Sequence, residues 1–218
     1  MRNSTAWVLF TVVLLLFGVV LLWPLAEVLS GGFFVEGEFT LRYLRGVFAN
    51  PIYAEGLVNS LQIAVGTTVL ALCISVPLAW LANRYDFRGK GVMTALVLVP
   101  MILPPFVGAI GFQQMLGQYG AINALFGLGP VDWLGRGRYW GVVILQSLAL
   151  YPILYLNVLA ALSNVDPAME EAAENMGCSG LAKFRRITLP LIAPDVFAGG
   201  TIVFIWSFTE LGTPLIMN

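Results

Sequence analysis

Histidine is absent from the 218 residues, cysteine occurs twice, and charged side chains make up only 11% against 59% hydrophobic. Without histidine the usual general base is missing, and no nucleophile-and-base constellation of the common kind can be assembled. Cys73 lies in an apolar run and Cys178 in a charged stretch. They read as two unrelated thiols, and no His or Cys cluster is available to hold a catalytic metal. A phosphate loop is missing too: Arg88-Gly89-Lys90-Gly91 has neither the earlier glycine spacing nor the hydroxyl residue. The chain is therefore expected to hydrolyse no nucleotide, to catalyse no covalent reaction and to need no cofactor. A formal net charge of −1 gives no footprint for a nucleic acid. Soluble domains carry about a quarter charged residues; this chain has too little polar surface to cover a globule.

What is present is a set of long apolar runs. About 20 such residues cross a bilayer as a helix. Five runs qualify, at about Trp7–Leu29, Leu57–Ala82, Val92–Gln114, Tyr139–Leu162 and Ala193–Met217. They are continuously apolar rather than alternating at period two, which excludes strands, and backbone groups in lipid must pair internally. The expected fold is an all-α, multi-pass membrane bundle of about five spans. The first run exceeds a signal-peptide core and lacks a clean cleavage site, so a retained span is favoured. Lys and Arg mark orientation. Arg2, Arg84, Arg88, Lys90, Lys183, Arg185 and Arg186 form one set, and Arg42, Arg45, Arg136 and Arg138 the other. Seven against four puts the first set, and the N-terminus, in the cytosol. Between the first two runs, Leu41, Leu44, Val47 and Phe48 share a helical face with Arg42 and Arg45 off it. This segment is either a surface helix or a plain loop. Tyr119, Phe126 and Trp133 in Gly117–Arg138 read as interfacial aromatics.

Residues 164–190 form a polar island. Asp166 and Pro167 have the chemistry of a helix N-cap and first residue. Glu170, Glu171 and Glu174 suit the N-terminal half of that helix, and Met169, Ala172, Ala173 and Met176 fall on one apolar stripe. Gly177 suits a left-handed terminating position. A second short helix is expected from Ser179, with Leu181, Phe184 and Thr188 on one side, Lys183, Arg185 and Arg186 elsewhere, and Pro190 breaking the chain before the last span.

The spacing Glu171-Ala172-Ala173-x3-Gly177-x9-Ile187-x-Leu189-Pro190 resembles the EAA loop of membrane subunits of binding-protein-dependent ATP-binding-cassette importers. The resemblance implies the fold of methionine-type (type I) permeases. It also implies a cytosolic helix that docks in a groove of a separate, dimeric ATPase, with Glu170, Glu171, Ala172, Ala173, Met176 and Gly177 at the contact. Further implied partners are an extracytoplasmic substrate-binding protein, a second permease half or subunit, and the lipid of the inner membrane. Asn59-Ser60, Pro77-Leu78-Ala79, Phe87-Arg88-Gly89-Lys90, Pro104-Pro105 and Tyr151-Pro152 follow in an order also similar to this family. Ser207 to Pro214 resembles the iron(III)-type branch, which implies ferric iron as the solute; polyamine, thiamine, phosphonate and sulfate importers share the same loop.

Residues 1–56 are read as an N-terminal span with an outer loop and 57–218 as the permease core, the first half of a longer permease. Pro77, Pro100, Pro104, Pro105, Pro152 and Pro214 are expected to bend or interrupt spans. Polar groups inside spans tend to face the protein interior, which makes Gln146, Asn157 and Glu210 pathway candidates. Glu210 either lines a cation path or pairs with an outer-loop arginine. A gradient-driven secondary transporter would instead call for buried titratable pairs and inverted half-repeats.

Overall fold

The computed structural model describes residues 2–35, 37–102, 104–134 and 139–217; Arg136 and Arg138, which enter the orientation count, lie outside them. The chain divides into two units, Met1–Val58 and Asn59–Asn218.

In the first unit, α1 (Arg2–Phe17), a π-helical turn (Gly18–Leu22) and α2 (Trp23–Phe33) make one helical run, apolar and long enough to cross a membrane over Ala6–Phe33. Its large apolar side chains from Trp7 to Leu29 are all exposed, and a helix apolar on every side suits hydrocarbon. Strands β1 (Phe34–Val35) and β2 (Glu38–Phe39) then form a small antiparallel hairpin with Phe34 opposite Phe39. Gly37 supplies the positive φ of the turn, at 88°. Of the two readings for the segment beyond, the helix holds: α3 (Arg42–Ala49) exposes Leu44, Val47 and Phe48. Asn50 Oδ1 accepts from the Ile52 N–H at 3.0 Å and caps the start of α4 (Pro51–Arg84).

The second unit contains most of α4, followed by α5 (Lys90–Leu98), a 3₁₀ turn (Val99–Ile102), α6 (Pro105–Leu116), α7 (Ala121–Leu125) and α8 (Tyr139–Ser163). Then come α9 (Pro167–Asn175), α10 (Gly180–Lys183), a π turn (Phe184–Thr188), α11 (Leu189–Thr209) and α12 (Gly212–Met217). Among the described residues four helical runs are long and apolar enough to span. The Lys90–Ile102 and Pro105–Leu125 pair, bent by 96°, makes up to five.

Helix α8 is the centre of this unit. Its Leu150, Leu154, Tyr155 and Val158 form the core with Ala71 and Ala79 of α4 and Ile192 and Val203 of α11. The buried side of α4 reads Ala64, Thr67, Ala71, Ser75, Ala79 and Ala82. That is a small-residue stripe at helical spacing, which lets membrane helices approach closely where lipid offers no hydrophobic drive.

The prolines divide by context. Helices α4 and α8 run through Pro77 and Pro152, contrary to the expectation that Pro152 interrupts its span; one lost hydrogen bond is tolerated inside a packed bundle. Pro104-Pro105 does break the chain. A residue before proline is pushed out of the helical region, and Pro104 sits at φ −57°, ψ 140°. The last span is also corrected, from Ala193–Met217 to a helical run over Gly180–Thr209. Pro190 does not break it: it sits in the first turn of α11, where a missing N–H is harmless, directly after the wide π turn. The run instead ends at Glu210, which is extended at ψ 117°. The Pro214 ring would clash with the carbonyl of residue 210 in a continuous helix.

Candidate functional site

The polar island folds into α9, a tight turn and the α10–α11 run. The Asp166 carboxylate accepts from the Ala168 N–H at 2.9 Å, and Pro167 opens the helix. At the other end Gly177 has φ 83°. The Gly177 N–H donates to Glu174 O and the Cys178 N–H to Ala173 O, both at 2.9 Å. This paired closure is a Schellman motif. A side chain at 177 would be strained by the φ alone. Gly180, at φ 58°, is a second left-handed position that the motif spacing did not signal.

The anticipated stripe is split. Ala173 is buried at 1% exposure, whereas Met169 is 48% and Met176 80% exposed; Glu171, Ala172 and Gly177 are exposed as well. One face of α9 thus packs inward and the other stands free. Glu170 and Glu174, one turn apart, belong to the inward side. Lys183 Nζ lies 2.9 Å from Glu170 Oε2 and 2.8 Å from Glu174 Oε1. The Arg84 guanidinium, at the end of α4, reaches the same two oxygens at 3.0 and 3.4 Å. Thr188 Oγ1 donates to Glu170 Oε1 at 3.1 Å. Glu170 is therefore engaged within the chain and is not part of the free face. Hydrogen bonding from Lys183 is the largest cause holding both carboxyls below the ordinary glutamate range, with Arg84 adding to it and Thr188 assisting at Glu170; burial opposes it.

Lys183 corrects a second expectation. It was placed away from Phe184 and Thr188, yet it is buried at 5% and shares their inward side, while Leu181 is 77% exposed. Leu181, Ala182, Arg185 and Arg186 line an open recess of about 550 Å³. The edge-on packing of Trp80 against Phe184, centroids 5.7 Å apart, closes the inward side.

The three pathway candidates are engaged separately. Gln146 is fully buried in α8; its Oε1 accepts from Thr67 Oγ1 of α4 at 3.3 Å and from Ser207 of α11. It pins three helices together, and its Nε2 has no hydrogen-bond partner among the described residues. Asn157 donates to Ile153 O at 2.8 Å along its own helix. Glu210 Oε1 accepts from the N–H and Oγ1 of Thr213 at 2.9 and 3.3 Å, capping α12.

Asn123 was missed by sequence reasoning. Its Nδ2 donates to Gln118 O at 3.0 Å and Val131 O at 2.7 Å, and its Oδ1 accepts from Trp133 Nε1 at 2.7 Å. Trp133 therefore ties a loop together rather than serving only as an interfacial aromatic. A lone Asn in a Gly-rich stretch gives no signal of this.

Together these features define a class: multi-pass helical membrane proteins that present a capped, half-free helix beside the ends of their spans. Residues 71–218 match the family of binding-protein-dependent transport system inner membrane components, and the chain belongs to that family. It is 32% identical over 169 residues to a probable molybdenum ABC transporter permease of Haloferax volcanii, covering 77% of this chain and 60% of the relative. A putative ferric transport system permease, FbpB 1 of Haemophilus influenzae, is 30% identical over 82% of this chain and 27% of its own length. The chain thus spans less than two thirds of the first and about a quarter of the second. The fold matches that in the crystal structure of a bacterial alginate ABC transporter in complex with a pentasaccharide-bound periplasmic protein. The TM-score is 0.74 at 17% identity, over 99% of this chain and 80% of the other.

Proposed function

We propose that the chain is a transmembrane permease subunit of a binding-protein-dependent ATP-binding-cassette importer, coupled through residues 164–190 to a separate cytosolic ATPase. The free face of α9 carries this reading. Met169, Ala172 and Met176 form an adaptable apolar patch, flanked by exposed Glu171 and ended by the Schellman closure at Gly177. The island lies on the cytosolic side, as does the N-terminus. The remaining partners are a second permease half or subunit and an extracytoplasmic binding protein. Two ATPases closing on ATP displace two such helices, and the bundles switch between two states.

For the solute we propose an inorganic ion, molybdate-type oxyanions first, on the 32% identity to the Haloferax relative. Ferric iron is the second reading, on the FbpB relative and the Ser207–Pro214 resemblance.

The test of docking is Gly177→Asp. It is expected to leave the protein in the membrane and to lower both ATPase co-purification and uptake. Unchanged co-purification would count against the surface, and uptake of radiolabelled molybdate against ferric iron decides the solute.

A further inference from the structure

Resting on the docking reading, we propose that the Arg84–Glu170–Glu174–Lys183 cluster is the linkage that delivers displacement of α9 to the spanning helices, with Lys183 its central positioning residue. Two helices meet the inner side of α9 through this cluster. Arg84 is the last residue of α4, and Lys183 ends α10 at the root of the run that continues to Thr209. Glu170 and Glu174 each take both cations. A push on the free face is thus shared between two spans by four ion contacts, whereas the buried Ala173 brings only a methyl group.

The chemistry suits a stiff linkage. Two acids meet two bases, so the cluster is internally balanced. The Lys183 side chain is 7% exposed, against 24% for Glu170 and 47% for Glu174, so its contact with Glu170 is the better shielded from salt. Its removal leaves two carboxylates one turn apart with only the half-exposed Arg84 between them, and like charges at that spacing repel. Apolar residues would hold α9 in place at least as well. What the ion cluster adds is direction and register: α9 cannot slide along its groove without separating several contacts at once.

The experiment compares Lys183→Met and Lys183→Arg with the unmodified protein. Each is assembled with its ATPase and binding protein in proteoliposomes, with uptake and ATP hydrolysis measured in parallel. The probe is radiolabelled molybdate, or ferric iron if that is what the unmodified protein carries. Lys183→Met is expected to retain ATPase capture and hydrolysis while uptake per ATP falls about tenfold. Lys183→Arg is expected to recover most of it. If Lys183→Met does not reach the membrane, Arg84→Gln reads the same uncoupling from a residue whose side chain is 46% exposed. Uptake and hydrolysis falling in parallel with capture intact, or neither changing, would overturn the linkage alone. Failure of the unmodified protein to capture the ATPase would overturn the docking reading and the linkage with it.

Discussion

Gly199 of α11 and Asn157 of α8 meet so closely that a Cβ on Gly199 would stand 3.1 Å from Asn157 Cβ and 2.9 Å from Leu154 Cδ1. Leu154 is fully buried, so it has little room to yield. Overpacking at such a site costs about 1–3 kcal/mol. Gly200, its neighbour, has only Thr68 Cγ2 within 4 Å, at 3.8 Å. Gly199→Ala is expected to lower the melting temperature of the detergent-solubilised protein by several degrees, and Gly200→Ala to leave it level or raise it. Equal effects of the two would show that the α8–α11 contact is looser than these distances state.

Helix α9 was legible because its signals are local. Asp166, Pro167 and Gly177 each act on backbone groups within a few residues, and cap chemistry survives whatever the rest of the chain does. Helix existence followed from hydrophobic run length for the same reason. Lys183 was not legible: a lysine beside two arginines looks solvated, and only tertiary packing brings Glu170, Glu174 and Arg84 around it. Glu210 was legible only in part. A lone acid in an apolar run looks like a pathway group or an arginine's partner, and its contact with Thr213 depends on the helix break that the Pro214 ring, four residues on, imposes. Pro152 was over-read as an interruption of its span, because the cost of one proline depends on neighbours that the sequence does not display.

Acid should weaken the α9 anchorage. Glu170 and Glu174 are held below the ordinary glutamate value of 4.5. A depressed native pKa contributes stability that is complete above the unfolded value and is lost as pH falls through the native one. The groups facing these carboxylates are Arg84, Lys183 and Thr188, and the chain has no histidine to add a step near neutrality. Melting temperature is therefore expected to be level from about pH 8 to 5 and to fall below about pH 4.5. Lys183→Met removes the main cause of the depression and should shallow that acid limb. An acid limb identical to that of the unmodified protein would mean other carboxylates dominate it.

Glu210 tests cap against conduit. Its Oε1 holds the Thr213 N–H and hydroxyl, and a Cβ on Gly212 would come within 3.0 Å of that oxygen, so the carboxylate is closely fitted over the first turn of α12. A capping acceptor needs an oxygen, not a charge. Glu210→Gln keeps the oxygen and removes the charge, and is expected to leave both stability and uptake near those of the unmodified protein. Glu210→Ala removes the acceptor and is expected to cost about 1 kcal/mol, the usual loss for a helix cap, with uptake following stability. A cation path reverses the order. Loss of charge would then lower uptake in Gln and Ala alike, while the melting temperature of Glu210→Gln stayed level. Measuring the two properties on both variants separates the roles, because only the cap makes glutamine a substitute for glutamate.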